Sequence, residues 1–322
     1  MSNLEHILDR VAQQVDRPIV TIGNFDGVHL GHQTICQEVQ QSARRAGVAS
    51  VALTFDPHPV VFFGKKDTST FCIDRPDKKL ELLHKHGIDH PTALPFDADL
   101  ASHSPEGFVH KILFESLRAQ EVWVGYDFNF GKGRSGGIEE LQRHGRERDI
   151  DVRVHAAVTS GDEVVSSTRV RKALSGGNLD LAAALLNRRH ALRGEVEHGE
   201  ARGRALGFPT ANISPRAGMM IPHGVYITTL TLLDPGAGLP AGPLPAITNV
   251  GVRPTVATAA APNAETFVLS GLAPDADIYG QRVEVELIAF VRPEMKFDGL
   301  DALKARIAED IAQARLAHGL GR

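Results

Sequence analysis

The run Ile19-Val20-Thr21-Ile22 stops at Gly23, a turn punctuated by Gly27 follows, and a helical pattern opens at Gly31 and continues to Ala46. A short β-branched run, a glycine turn and a helix in that order mark the start of a helix-covered parallel sheet. Backbone N–H groups at the helix start and the positive end of its dipole make the turn a place for phosphate. His29-Leu30-Gly31-His32 lies within it. An imidazole there donates a hydrogen bond when neutral and offsets charge when protonated. The same spacing also suits half of a metal site, or a pair of ordinary loop histidines.

With 322 residues the chain is long enough for two cores. Up to about residue 186, apolar runs at 19–22, 49–55, 92–94, 121–124 and 152–154 alternate with helical patterns such as 78–86 and 105–117. That alternation predicts a doubly wound α/β sheet whose motifs sit at the carboxyl ends of the strands. Beyond Asn187 the period changes to two, over 225–232 and 283–287, with Pro/Gly-rich connections such as 235–245. An antiparallel β-barrel fits that pattern. A closing amphipathic helix carries Leu300, Leu303, Ile307 and Ile311 on one face and stops at Gly319. The expected domains are 1–186 and 187–322.

The net charge of −4 gives no basic field for nucleic acid, and no apolar run approaches a membrane span. Cys36 and Cys72 are far apart, with no metal-binding spacing, which suits a reducing compartment. The expectation is a cytoplasmic protein without nucleic-acid or membrane partners.

Four further motifs follow the first. Thr54-Phe55-Asp56-Pro57-His58-Pro59 ends the second strand, and its two prolines predict a rigid loop holding His58 outward. Gly125-Tyr126-Asp127-Phe128-Asn129-Phe130-Gly131 follows the fourth, with mobile cationic density from Lys132 and Arg134 behind it. Ser166-Ser167-Thr168-Arg169-Val170-Arg171 opens a helix, as a simple cap or as a phosphate clamp. Gly194, Gly199, Gly203 and Gly207 precede Phe208-Pro209-Thr210-Ala211-Asn212; small residues admit phosphate closely, yet no Walker lysine follows. In this order and spacing the motifs resemble the bifunctional bacterial riboflavin kinase/FMN adenylyltransferase family, the FAD synthetases, from about Ile19 to Ile311.

The resemblance implies a Rossmann-like nucleotidyltransferase domain followed by a riboflavin kinase barrel. It implies that the first joins FMN and ATP into FAD and pyrophosphate. FMN phosphate is the nucleophile, so the protein aligns two anions and stabilises charge. The residues implied are His29, His32 and Arg171 as catalytic, with Gly23, Phe25, Gly31, Ser167 and Thr168 around ATP. His58, Phe62, Asp127 and Phe128 fall on the flavin side, although Phe62 also suits a core and Asp127 a turn cap. For the second domain it implies riboflavin phosphorylation by ATP, with Gly203, Thr210 and Asn212 at the nucleotide. Thr210 and Asn212 are hard oxygen ligands suited to Mg²⁺. Glu265, placed at the start of a strand after the connection 255–264, is the implied base. Flavin-requiring apoproteins are the implied recipients of FAD. The chain departs from the family at Phe267 to Gly271, where a His or Tyr and then Leu-Leu-Asp-Phe are usual, and at Leu186 to His190, where Leu-Gly-Arg-Pro-Tyr is usual. A chain with only the adenylyl transfer, an adenylyltransferase for another phosphate such as pantetheine phosphate, and a noncatalytic flavin-binding protein are the competing readings.

Overall fold

The computed structural model describes residues 3–198, 208, 210–253, 261–273 and 276–321. The expectations for Gly203 and for most of the connection before Glu265 lie outside the described residues. The chain packs as two compact units, residues 1–67 with 76–167 and residues 68–75 with 168–322.

The first unit is a parallel sheet of β1 (Ile19–Ile22), β2 (Ser50–Asp56), β3 (His90–Pro95), β4 (Glu121–Gly125) and β5 (Asp151–His155), ordered β3-β2-β1-β4-β5. Strand order reverses at β1, so the carboxyl edge between β1 and β4 is the crevice where such sheets take ligands. Each strand foreseen from an apolar run is present. Several extend a residue or two further, because pairings such as Asp56 with Pro95 and Gly125 with His155 need backbone, not apolar side chains.

Alternation along the strands feeds a core on either face. Val20, Ile22, Val51, Leu53, Val122 and Val124 pack with the helix Asn3–Ala12 on one side. Ile19 and Ala52 pack on the other with Ile35 and Val39 of the helix Leu30–Ala46, and with Leu82 and Leu83 of the helix Pro76–Lys85. The single helix expected over 105–117 is instead one α-turn, Pro105–Phe108, continued as a π-helix, Val109–Ser116. Ser116 Oγ donates to the Lys111 carbonyl five residues back at 2.8 Å, matching the wider repeat. A small hairpin, β6 (Thr159–Ser160) and β7 (Glu163–Val164), leads to the helix Ser167–Ser175.

The second unit contains a closed barrel of β8 (Ala191–Glu197), β9 (Ala211–Ile213), β10 (Gly224–Leu232), β11 (Leu244–Arg253), β12 (Ala261–Val268) and β13 (Arg282–Pro293). Its strands run in the order β10-β11-β12-β9-β8-β13, and β13 closes onto β10. Leu192, Tyr226, Leu230, Ala246, Val250, Val285 and Leu287 are among its fully buried residues. Thr228, Thr248 and Thr266 share a hydroxyl chain across three strands, with oxygens 2.8 and 2.9 Å apart. The alternate face carries Val225, Ile227, Ile247 and Leu269, which pack against Ile311 and Ala314 of the helix Leu300–Ala317. Leu300, expected on that packed face, is 66 % exposed at the first position of the helix. Residues 168–186, read from sequence with the first half, pack in the second unit, as does the inserted segment 68–75. Gly218 and Met219 donate backbone N–H groups to the carbonyls of Cys72 and Ser69, both at 2.8 Å.

Candidate active sites

In the first unit the turn after β1 is built around histidines and glycines. His29 is the N-cap of the helix Leu30–Ala46; its Nδ1 accepts the His32 backbone N–H at 3.4 Å. A nitrogen that accepts carries no proton, so Nε2–H is a donor in the neutral imidazole. The His29 and His32 rings stack with centroids 3.7 Å apart, and Phe25 meets His32 edge-on at 5.1 Å. Gly31 lets the helix start close on this stack, since a Cβ there would stand 3.3 Å from His29 Cε1 and press on the ring. At Gly23 a Cβ would come within 3.2 Å of the Phe25 ring, which is buried beneath the turn. Phe25 thus supports His32 from the core. Phe25, Gly27 and Val28 all have positive φ, at 46°, 83° and 37°. For a β-branched residue such as Val28 that region is strained. Gln33 Nε2 holds it by donating to the Val28 carbonyl at 2.8 Å.

The loop after β2 differs from its expectation. His58 does not point outward: it is 9 % exposed and caps a one-turn helix, Pro59–Phe62, with Nδ1 accepting the Val60 N–H at 3.1 Å. Pro59 occupies the first helical position, which a proline suits. Phe62 is partly exposed and forms an aromatic cluster with Phe63 and Phe96, at centroid distances of 5.2 and 5.4 Å.

Lys79, not among the residues expected from the sequence, ties this loop to the first. Only 5 % exposed, it donates from Nζ to the Asn24 carbonyl at 3.2 Å and to the Phe55 carbonyl at 3.1 Å. Its signal in the sequence is a lysine on the same helical face as Leu82 and Leu83. Thr54 Oγ1 adds a bond to the same Asn24 carbonyl at 2.9 Å. Ser167 donates to the Asp26 carbonyl at 2.8 Å.

Beyond β4, Asp127 is exposed at the edge of a cavity of about 420 Å³ that Tyr126, Phe128, Asn129 and Ile138 also line. Phe128 is half-buried and stacks on Phe130 at 5.5 Å. Lys132 and Arg134 stand exposed on a short 3₁₀ turn. In the second unit, Thr168 is exposed and Arg171 lies over the Phe71 ring at 4.0 Å, its Nε donating to the Phe71 carbonyl at 2.9 Å.

On the barrel, Asn212, Glu265 and Asn249 form one row across β9, β12 and β11. Directly paired residues share a face, so the row lies on the face opposite the Thr248–Thr266 pair. Asn212 is buried and donates to the Thr210 carbonyl at 3.2 Å and to its hydroxyl at 3.5 Å. Glu265 does not start its strand but stands in the middle of β12, where pairing on both sides fixes its backbone. Its Oε1 accepts a bond from Asn263 Nδ2 at 2.9 Å. The residue types of this row are oxygen donors and a carboxylate, fitted to a hard cation and a hydroxyl proton.

Residues 12–169 match the family model of FAD synthetase and residues 186–318 that of riboflavin kinase. A bifunctional riboflavin kinase/FMN adenylyltransferase of Escherichia coli K12 is 37 % identical over 302 residues, covering 94 % of this chain and 93 % of that one. The chain belongs to the bifunctional riboflavin kinase/FMN adenylyltransferase family. Members from Pseudomonas fluorescens and Listeria monocytogenes are 35 % and 31 % identical, each over 92 % of this chain. A crystal structure named as a macrolide-efflux protein from Streptococcus pneumoniae superposes with a TM-score of 0.75 at 27 % identity, covering 93 % of this chain and 94 % of that one. Among the described residues, no helix is long and apolar enough to cross a membrane.

The two departures from the family's usual sequence fall at packing positions. Phe267 packs beneath the C-terminal helix and meets Phe208 edge-on at 5.8 Å. His190 is buried, with Nε2 2.9 Å from the Gly218 carbonyl.

Proposed function

We propose that this chain makes FAD in two steps, phosphorylating riboflavin to FMN with ATP and then joining FMN to a second ATP with release of pyrophosphate. Adenylyl transfer is assigned to residues 1–186 and phosphorylation to 187–322. The observation that carries the reading is the match of two consecutive family models, which together take in most of one chain.

For adenylyl transfer, the turn after β1 offers phosphate a helix start whose cap is itself an imidazole. His29 and His32 contact the triphosphate of ATP, with Gly23, Gly31, Ser167 and Thr168 shaping its seat and Arg171 on the leaving pyrophosphate. His58, Phe62, Asp127 and Phe128 bound the flavin side. The phosphate of FMN is already a nucleophile, so these residues align and stabilise.

In the barrel, Glu265 takes the proton of the ribityl hydroxyl as it attacks the terminal phosphoryl group of ATP. Thr210 and Asn212 supply the neutral oxygen donors that suit Mg²⁺ bound chiefly through nucleotide phosphates. Mg²⁺ would offset charge on the transferred phosphoryl group. The expected setting is the cytoplasm, with riboflavin, FMN and ATP as small-molecule partners and flavin-requiring apoproteins as recipients.

The test separates the domains. His32→Ala is expected to abolish FAD formation from FMN and leave FMN formation from riboflavin intact. Glu265→Gln is expected to cut FMN formation from riboflavin to a small residual rate and leave FAD formation from FMN intact. Loss of both activities in either folded variant would refute the division.

A further inference from the structure

We infer that Asn263 is a positioning residue for riboflavin phosphorylation, holding the Glu265 carboxylate in the rotation that receives the substrate proton. The inference rests on the proposed role of Glu265 as base. Both side chains project from the same face of β12, two residues apart, and Asn263 Nδ2 donates to Glu265 Oε1 at 2.9 Å. That bond fixes the torsion of a terminal carboxylate, which is otherwise broad, and it commits one oxygen. Oε2 is then the oxygen that faces the hydroxyl.

The surroundings argue that the amide is kept for this purpose and not for packing. Asn263 is 5 % exposed, and its Oδ1 is buried without a hydrogen-bond partner among the described residues. A buried carbonyl without a partner is a cost that an apolar side chain at the same place would avoid. Directly across on β11 stands Gly251, whose missing Cβ leaves room for the Glu294 carboxylate, so Asn263 faces a polar group there and not an apolar packing partner. Residues that lower stability in this way persist where they serve a site. Stability and turnover should therefore move in opposite directions when the amide is removed.

Asn263→Ala and Asn263→Leu are expected to keep or raise the melting temperature. Both should lower kcat for riboflavin phosphorylation roughly ten- to hundredfold, as loss of a hydrogen bond to a charged group does. KM for riboflavin and for ATP should stay within about twofold, because the bond acts on the base and not on binding. FAD formation from supplied FMN should be unchanged. In the Glu265→Gln background, adding Asn263→Ala should cost less than about twofold, since the carboxylate it acts through is gone. A kcat within twofold of the parent in both Asn263 variants overturns the inference, and so does an equal loss in both backgrounds. If Asn263→Ala proves poorly folded, Asn263→Asp keeps the shape and removes the donor; full kcat in that variant also overturns it. Full phosphorylation by Glu265→Gln alone instead refutes the role of Glu265, which distinguishes the two failures.

Discussion

The imidazole of His29 lies flat on that of His32, with planes 17° apart, while its Nδ1 caps the helix in which His32 sits. One ring thus performs two tasks. It satisfies a backbone N–H that the helix start leaves open, and under the proposed function its other nitrogen donates to phosphate at the positive end of the helix dipole.

These tasks separate by substitution. His29→Asn keeps a good capping acceptor, so its melting temperature should stay near that of the parent. His29→Ala should lose about 1 kcal/mol of stability with the cap. Both should lower FAD formation from FMN by about a hundredfold or more, as removing a donor from a developing anion does. Calorimetry beside the FAD assay decides it. Normal FAD formation by His29→Asn would mean that the ring is only a cap.

Much of this architecture was legible in the sequence because its signals are local. The run Ile19–Ile22, the glycine turn and the helix to Ala46 appear where period and punctuation put them. The switch to period two likewise announced the barrel. What could not be read depends on partners distant in the chain. His58 turned inward because a proline at the first helical position makes its imidazole a cap. Glu265 lies in mid-strand because β9 and β11 pair on either side of it, and a one-sequence reading sees neither neighbour. Lys79 drew no expectation of its own, because the carbonyls of Asn24 and Phe55 that hold it come from the turn after β1 and the end of β2, far off in the chain.

Lys79→Met should uncouple the turns after β1 and β2. A buried ammonium bonded to two carbonyls contributes hydrogen bonds of about 1.5–3 kcal/mol each, and the thioether replaces none of them. FAD formation from FMN should fall at least about tenfold, as misplacement of groups that align two reactants does. Phosphorylation of riboflavin should persist. Equal loss of both activities would place the effect elsewhere than in these loops.

Asp310 holds the C-terminal helix to the barrel through Arg292, whose Nε and Nη2 donate to Asp310 Oδ2 at 2.9 and 2.7 Å. Their side chains are 4 % and 11 % exposed. Asp310→Ala leaves the arginine buried without its carboxylate and should cost about 3–5 kcal/mol. The double variant Arg292→Met with Asp310→Leu should recover most of that loss. Chemical denaturation of the three proteins measures it, and a single variant as stable as the parent would show that the pair does not anchor the helix.

Burial pushes the Cys36 thiol from 9.0 up to about 12, so the folded chain keeps a proton that the unfolded chain releases. Its contribution to stability is whole below pH 9.0 and is lost as the pH rises toward about 12. Burial raises the Tyr226 phenol in the same direction. The melting temperature should therefore fall on the alkaline side, and less steeply in Cys36→Ala. A thiol reagent should label Cys36 in the unfolded protein and leave it unlabelled in the native one. Rapid native labelling would contradict the burial.

The most direct measurement incubates the purified protein with Mg²⁺–ATP and riboflavin, and follows the flavins by chromatography with fluorescence detection. The account predicts that FMN appears first and FAD follows, and that FMN supplied alone also yields FAD. Flavin that remains riboflavin in the first tube and FMN in the second would contradict it.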